Sequence, residues 1–523
     1  MGTYFNPGNE SFRQAVRSKI YVDKTGLINE LNDVICTEYK CVAVSHARRF
    51  GKSQAAGMLR AYYSKGCDSR ELFSGFEIAK APDFEEHLNK YNVIHVDVAS
   101  FADDFKENLV EKIWEAVYKE MSKDFSDIMD ISCSKAAVLM DVYEKSGIPF
   151  VIIVDEWDCV VRNHSDKPEL VHEYLQFLHS LFKSEESKSF LALGYITGIL
   201  PIKKIEDESA LNNFREYTMV NSKKLTPYFG FTEDEVKELC EEYSMYFASV
   251  KKWYDGYHIN GKHMYNPNSV AQAMMDESLE PYWRGTSSYE TINKLITLNF
   301  DGLKDDVLKM LEGEKVTVDV TTFNNDLTQL NSKDDALTAL IHLGYLGYEE
   351  EKRKAYIPNF EVSMAYRSAL KTGRWKEIAK SIERCEDLLD ATIDKDEEKV
   401  AELLELAHET YTSIQKYNDE HSLSCAVTMA YFTAPAYYNI IRELPAGKGF
   451  ADFAFIPRKE AGTRPAMIVE LKYDKSAETA IKQIKDKRYE GALKGYEKEI
   501  LLVGISHDKR TKKHECVIEE FRN

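Results

Sequence analysis

A short apolar run, Cys41-Val42-Ala43-Val44, leads into Ala47-Arg48-Arg49-Phe50-Gly51-Lys52-Ser53 and then into the apolar-periodic segment Ala55 to Tyr63. Few residue orders constrain a fold more. A strand that breaks at a glycine turn and restarts as a helix at Lys-Ser aims the free N–H groups of the first helical turn at one spot, where the helix dipole favours negative charge. That spot suits phosphate oxygens. Lys52 is placed to reach the β- and γ-phosphates of a nucleotide, and the Ser53 hydroxyl to ligate Mg²⁺. The full pattern carries a glycine five residues before Gly51, and His46 stands there instead. A basic helix start containing a chance Gly-Lys-Ser is the competing interpretation.

A second segment answers the first. Phe150-Val151-Ile152-Ile153-Val154 is continuously apolar and ends in Asp155-Glu156. Such a run fits a central strand of a parallel sheet, buried on both faces. The carboxyl end of such a strand is where open α/β sheets place their ligands. Asp155 there would hold the Mg²⁺ water shell and Glu156 would polarise an attacking water. Strand-like runs recur at 93–98 and 190–197, with helical periodicity between them at 109–121 and 170–181. Alternating strands and helices predict a parallel sheet with helices on both faces. Thr197, closing the last run, is a candidate γ-phosphate sensor or a β-branched strand end.

At 523 residues the chain exceeds one ordinary core, so several domains are expected. No apolar run approaches the length of a membrane span, and the N-terminus lacks a basic-then-apolar leader. Nine cysteines are scattered with no C-x-x-C pair, which suggests neither a zinc site nor a disulfide framework. A cytoplasmic protein with reduced thiols and no membrane partner is the expectation. Net charge is −19, which argues against a general nucleic-acid coat. From Pro445 to the end, however, Lys and Arg outnumber Asp and Glu by about four, which permits nucleic-acid contact in that part.

Thr232-Glu233-Asp234-Glu235 has the form of a capping box and starts a helix near 233. Residues 229–400 read as mainly helical. The aromatic clusters Trp253-Tyr254-Asp255-Gly256-Tyr257 and Tyr282-Trp283 read as packed corners, and the highly charged 374–410 as a solvated connecting helix pair. The expected domains are 1–228, an ATPase; 229–415, a helical lid and middle region; and 416–523.

From about 417 the pattern changes. A helical segment near 423–432 is followed by strand-like runs at 438–441, 450–456 and 466–472, a helix near 478–493, and a strand at 500–505. On a strand, Glu470 and Lys472 point to one face. Asp452 on a neighbouring strand would complete a set of two carboxylates and a lysine. Such a set suits phosphodiester hydrolysis assisted by Mg²⁺ or Mn²⁺, which prefer oxygen ligands. Lys472 would orient the water or stabilise developing negative charge. Glu420 is an additional candidate ligand, and Gln483, on the following helix, would brace the site. An exposed Glu–Lys pair on an edge strand is the plain alternative.

Taken together, these residues resemble a bacterial family of AAA-like ATPases that carry a C-terminal PD-(D/E)XK nuclease-superfamily domain. The resemblance rests on Tyr21-Val22-Asp23-Lys24-Thr25, Arg48 to Ser53, Val154-Asp155-Glu156, Thr197-Gly198, Trp253 to Tyr257, Tyr265-Asn266-Pro267, Gly449 to Asp452, Val469 to Lys472 and Gln483-Ile484. It implies an α/β multidomain chain: a P-loop ATPase sheet, a helical middle and a restriction-endonuclease-like α/β domain. The family's R-P-R-R-F-G-K-[ST] becomes His46-Ala47-Arg48-Arg49 here, and like this chain it lacks the first glycine. Many members follow Thr-Gly with a serine and an arginine; Leu200-Pro201 follows closely here, and Lys203 and Lys204 are the nearest basic residues. The activity implied is ATP hydrolysis coupled to metal-dependent cleavage of nucleic acid, DNA more than RNA. The alternative is a nucleotide-switched regulatory or defence protein that binds nucleic acid without cutting. Arg48 and Arg49 would contact phosphate or a neighbouring subunit, or else form a solvated basic turn; such ATPases often form homo-oligomeric rings.

Overall fold

Strands with apolar residues at every position can only be satisfied between two layers. In the computed structural model this sequence forms β1 (Cys41–Ser45), β2 (Asn92–Asp97), β3 (Phe150–Asp155), β4 (Leu191–Gly198) and β5 (Arg215–Thr218), in the order β2-β3-β4-β1-β5. All neighbours are parallel. Successive residues feed opposite cores. Cys41, Ala43, Ile94, Val96, Ile152 and Val154 pack with helices Leu109–Phe125 and Pro168–Phe182. Val42, Val44, Val93, Val151, Ile153 and Tyr195 pack with the helix Lys52–Tyr63 and with Phe12, Leu27 and Phe73. The expected double-covered sheet is thus present, with β5 added at its edge.

The structure describes residues 2–104, 108–164, 167–202, 211–283, 286–298, 300, 302–311, 313–324, 327, 330–372, 376–411, 423, 427, 430–431, 434, 437–446, 449–457, 464–489 and 499–521. It divides into two compact units, Met1–Tyr366 and Arg367–Asn523.

The remainder of the first unit is mostly helical, as expected, and the capping box forms: the Thr232 hydroxyl accepts from Glu235 N–H while Glu235 accepts from Thr232 N–H. Two small antiparallel sheets were not anticipated. One is β6 (Phe231–Thr232), β7 (Tyr257–Ile259) and β8 (Lys262–Tyr265); the other is β9 (Val316–Thr317), β10 (Gly347–Glu349) and β11 (Lys354–Tyr356). Asn260 and Gly261, at φ 49° and 73°, make the two-residue turn joining β7 to β8.

The second unit holds a mixed sheet of β12 (Tyr438–Ala446), β13 (Gly449–Pro457), β14 (Ala466–Tyr473), β15 (Ile500–His507) and β16 (His514–Phe521), in chain order, with only β14 and β15 parallel. Phe453, Phe455, Met467, Val469, Leu471 and Val503 face Leu388, Leu389, Val400, Leu403 and Leu404. This corrects the reading of 374–410 as a solvated connection. Over residues 384–393 and 397–407 the helices Lys376–Ile393 and Glu397–Tyr411 are charged outside and apolar inside, and they cover one face of this sheet. The unit accordingly begins well before residue 416. Ala466, Ile468, Ile500 and Leu502 face the helix Ala477–Lys487 through Ile481 and Ile484. That helix stops earlier than its periodicity predicts, because Arg488 turns left-handed at φ 56°. Gly504 lets it approach: a Cβ there would lie 2.5 Å from the Ala477 carbonyl oxygen.

Candidate functional sites

The loop between β1 and the helix Lys52–Tyr63 has the form the sequence predicts. Gly51 sits at φ 89° with open space where a Cβ would be, and Arg49 is also left-handed at φ 66°. The Lys52 ammonium is buried and donates to the carbonyl oxygens of His46 and Ala47, both at 2.9 Å. Burial lowers its pKa, and Glu156, Asp155 and Asp158 pull it back up. A lysine resting on main-chain oxygens has donors ready for a better acceptor. The loop borders a cavity of about 560 Å³ shared with Tyr21, Val22, Met58, Glu156, Phe231 and Asn268. That is the size of a ligand pocket. Arg48, Arg49, Phe50, Gly51, Lys52 and Ser53 all line it.

Where the full pattern has glycine, His46 supplies a strut. Ser222 donates its hydroxyl to the Thr218 carbonyl at 2.7 Å, so it accepts from His46 Nε2, also at 2.7 Å. The ring packs on Phe229. His46 Nδ1 is buried with no hydrogen-bond partner, and burial beside Lys52 depresses the imidazole pKa to about 3. The loop is also held from the middle region. Phe50 meets Tyr257 edge-on at 5.1 Å, Gly230 N–H donates to the Phe50 carbonyl, and Arg49 reaches the Tyr282 carbonyl at 2.9 Å. Asn266 caps the helix Pro267–Asp276 and contacts the Arg48 carbonyl at 3.5 Å. In the lead-in motif, Lys24 donates to both oxygens of Glu235, at 2.6 and 2.7 Å, and to the Pro227 carbonyl.

Asp155 and Glu156 end β3 two strands from β1, with β4 between them. Thr197 of β4 donates its hydroxyl to Asp155 Oδ1, and Glu156 N–H lies 3.1 Å from the same oxygen. Thr197 is fully buried, so in this state its hydroxyl is committed to the carboxylate. Gly198 beside it leaves no free room for a side chain, since a Cβ would fall 2.7 Å from Trp157 Nε1 and 2.8 Å from Asp158 Oδ1. Glu156 is left-handed at φ 53°, and its carboxylate is reached by Arg162 Nη2 at 3.4 Å. Burial raises the Glu156 pKa; Lys52 and Arg162 oppose it. Sequence reasoning missed Arg162, whose Nε also holds Asp158 at 3.3 Å. Lys203 and Lys204 lie outside the described residues.

In the second unit, Glu470 and Lys472 share the β14 face turned to the helix Ala477–Lys487. Lys472 Nζ donates to Glu470 Oε1 and to the Leu471 carbonyl, each at 2.9 Å. Asp452, one step beyond the last β13–β14 pair, Phe453 with Val469, accepts from Leu471 N–H at 2.7 Å. Its own N–H donates back to Glu470. Gln483 donates to Glu470 Oε1 and lies 3.3 Å from the Tyr489 hydroxyl. Tyr489, fully buried, is a brace that the sequence did not reveal. Glu420 lies outside the described residues. Glu470 Oε2 is buried with no hydrogen-bond partner, and burial, with the Asp452 charge second, raises the Glu470 pKa. An orphaned carboxylate oxygen beside a second carboxylate fits a divalent cation, which would remove both penalties.

Residues 8–206 match the family model of a predicted AAA-ATPase, and residues 418–516 match that of the PD-(D/E)XK nuclease superfamily. Both matches agree with the resemblance drawn from the motifs. The chain is also similar to an uncharacterized protein encoded in the vnfD 5′ region of Azotobacter chroococcum mcd 1, with 23% identity over 287 residues. That match covers 53% of this chain and 52%, about half, of the relative. Among the described residues, no helix is long and apolar enough to cross a membrane.

Proposed function

We propose that this chain hydrolyses ATP in its first unit and cleaves nucleic acid, DNA in preference to RNA, in its second. The loop amides and Lys52 would grip the β- and γ-phosphates, with Arg48 and Arg49 at the cavity rim. Glu156 would accept a proton from the attacking water once Arg162 releases its carboxylate. Thr197 would act as a positioning residue that fixes Asp155 through its hydroxyl. In the second unit Lys472 would orient the water and offset charge developing on the phosphate, while Gln483 and Tyr489 hold Glu470 in place. Divalent ions, held by Ser53 and Asp155 at one site and by Asp452 and Glu470 at the other, would supply charge neutralisation and a lowered pKa for the attacking water.

The observation that supports the cutting role is the unsatisfied, buried Oε2 of Glu470, whose carboxylate feels the Asp452 charge and binds Lys472 through its other oxygen. The test is incubation of plasmid and linear DNA with Mg²⁺ or Mn²⁺, with and without ATP, alongside Asp452→Ala and Lys472→Ala. Metal-dependent cleavage lost in both variants is expected. Cleavage that survives in both would come from a contaminant and would overturn the assignment; DNA retention without cleavage by the parent chain would favour the non-cutting alternative.

A further inference from the structure

The β7–β8 hairpin carries two histidines that neither proposed activity uses. Its two-residue turn places Ile259 opposite Lys262 and, one step on, His258 opposite His263. In a hairpin of this length that second pair is the non-hydrogen-bonded kind, whose side chains stand closest. Asp255 closes the group from the end of the helix Phe247–Tyr254. His258 Nε2 lies 3.1 Å from His263 Nδ1, which lies 2.8 Å from Asp255 Oδ2. One ligand atom from each residue falls within 4.8 Å of the other two. Tetrahedral zinc with bonds of ~2.0 Å needs ligand atoms about 3.3 Å apart.

The surroundings prepare the same atoms. Tyr356 donates its hydroxyl to the Gly256 carbonyl at 2.9 Å, so toward His258 Nδ1 it can only accept. His258 Nδ1 therefore bears the proton, and its Nε2 lone pair turns to His263 and Asp255. A ligating imidazole is ordinarily oriented in this way by a hydrogen bond at its other nitrogen. Asp255 is buried, and its Oδ1 has no hydrogen-bond partner. We propose that Asp255, His258 and His263 form a zinc site, with Glu233, whose Oε2 lies 4.0 Å from His263 Nδ1, nearest for the fourth position. Lys251, 3.7 Å from Asp255 Oδ2 and paired with Glu233, is the cation now beside the group and withdraws when zinc enters. The site's role is mechanical. His258 faces the metal while its neighbour Tyr257 points to the other side and packs on Phe50 of the phosphate loop. Zinc would stiffen the hairpin that backs the loop.

The test uses the full chain carrying Asp452→Ala and Glu470→Gln, so that the other candidate metal site stays silent. The protein is stripped with a chelator and reloaded with Zn²⁺ or Co²⁺. One zinc per chain is expected, with strong visible Co²⁺ bands of a four-coordinate site and a higher unfolding temperature. Tyr356→Phe should weaken zinc binding about tenfold. His263→Cys should add a thiolate-to-Co²⁺ charge-transfer band, which a merely structural histidine would not produce. Zinc uptake no greater than in a His258→Ala, His263→Ala double variant, or a Co²⁺ spectrum of weak octahedral type, would overturn the proposal. So would a His263→Cys chain that is folded by circular dichroism and lacks the new band.

Discussion

Single side chains divide into those whose candidacy was legible in the sequence and those that only the fold brings to a candidate site. Lys52, Asp155, Glu156, Asp452, Glu470 and Lys472 belong to the first group, because their spacing within and after apolar runs marked strands and a helix start. Arg162 and Tyr489 belong to the second. Arg162 reaches Glu156 only because the chain turns left-handed at Glu156, and Tyr489 returns to Gln483 only because Arg488 ends its helix. Glu156→Gln is expected to keep nucleotide binding and lose at least about 100-fold in ATP turnover, while Lys52→Ala loses both. Nucleotide-binding titration and phosphate release separate the two. His46, His95 and His342 make a different prediction. Burial depresses their pKa values to about 3, 4 and 4. Each stays neutral in the fold but takes a proton once unfolded below its ordinary value near 6.5. The unfolded chain thus binds more protons between pH 6.5 and about 4, and their stabilisation, complete above 6.5, drains away as pH falls. The loss approaches 1.4 kcal/mol per pH unit for each histidine. Urea midpoints of the first unit at pH 7 and pH 5 check this, and an unchanged midpoint would contradict it.

Elements were legible to the degree that their burial was symmetrical. β1, β3 and β4 are buried at every position and read as mainly apolar runs, whereas β5, Arg215-Glu216-Tyr217-Thr218, lies at an edge with only Tyr217 buried. β16 alternates Cys516, Ile518 and exposed acids, a faint pattern beside the strong signal of β15. The β7–β8 hairpin had an audible cue in Asn260-Gly261, drowned by the helical reading of its surroundings. Two glycines carry element-level predictions. Gly198→Ala pushes on Trp157 and Asp158, so it should cut ATP turnover by about tenfold or more with a smaller effect on nucleotide affinity; parallel kinetics and binding check it. Gly504→Ala drives the helix Ala477–Lys487 off its sheet and should destabilise the second unit by about 1–3 kcal/mol, measured by denaturant unfolding.

At the scale of the molecule, each unit owns its core, so two unfolding transitions are expected from the chain. In Glu156→Gln protein, ATP should raise only the transition of the first unit, by about 2.7 kcal/mol at 100 times Kd. Calorimetry with and without ATP checks it, and a single transition that shifts as a whole would refute separate cores. The order β2-β3-β4-β1-β5 has its own consequence. Because one strand stands between the lysine's strand and the acid's, the two sit two sheet spacings apart, about 10 Å. The width of that opening belongs to how the backbone is threaded. Exchanging residues changes the grip at either lip, and only a rethreaded chain would make the mouth narrower or wider.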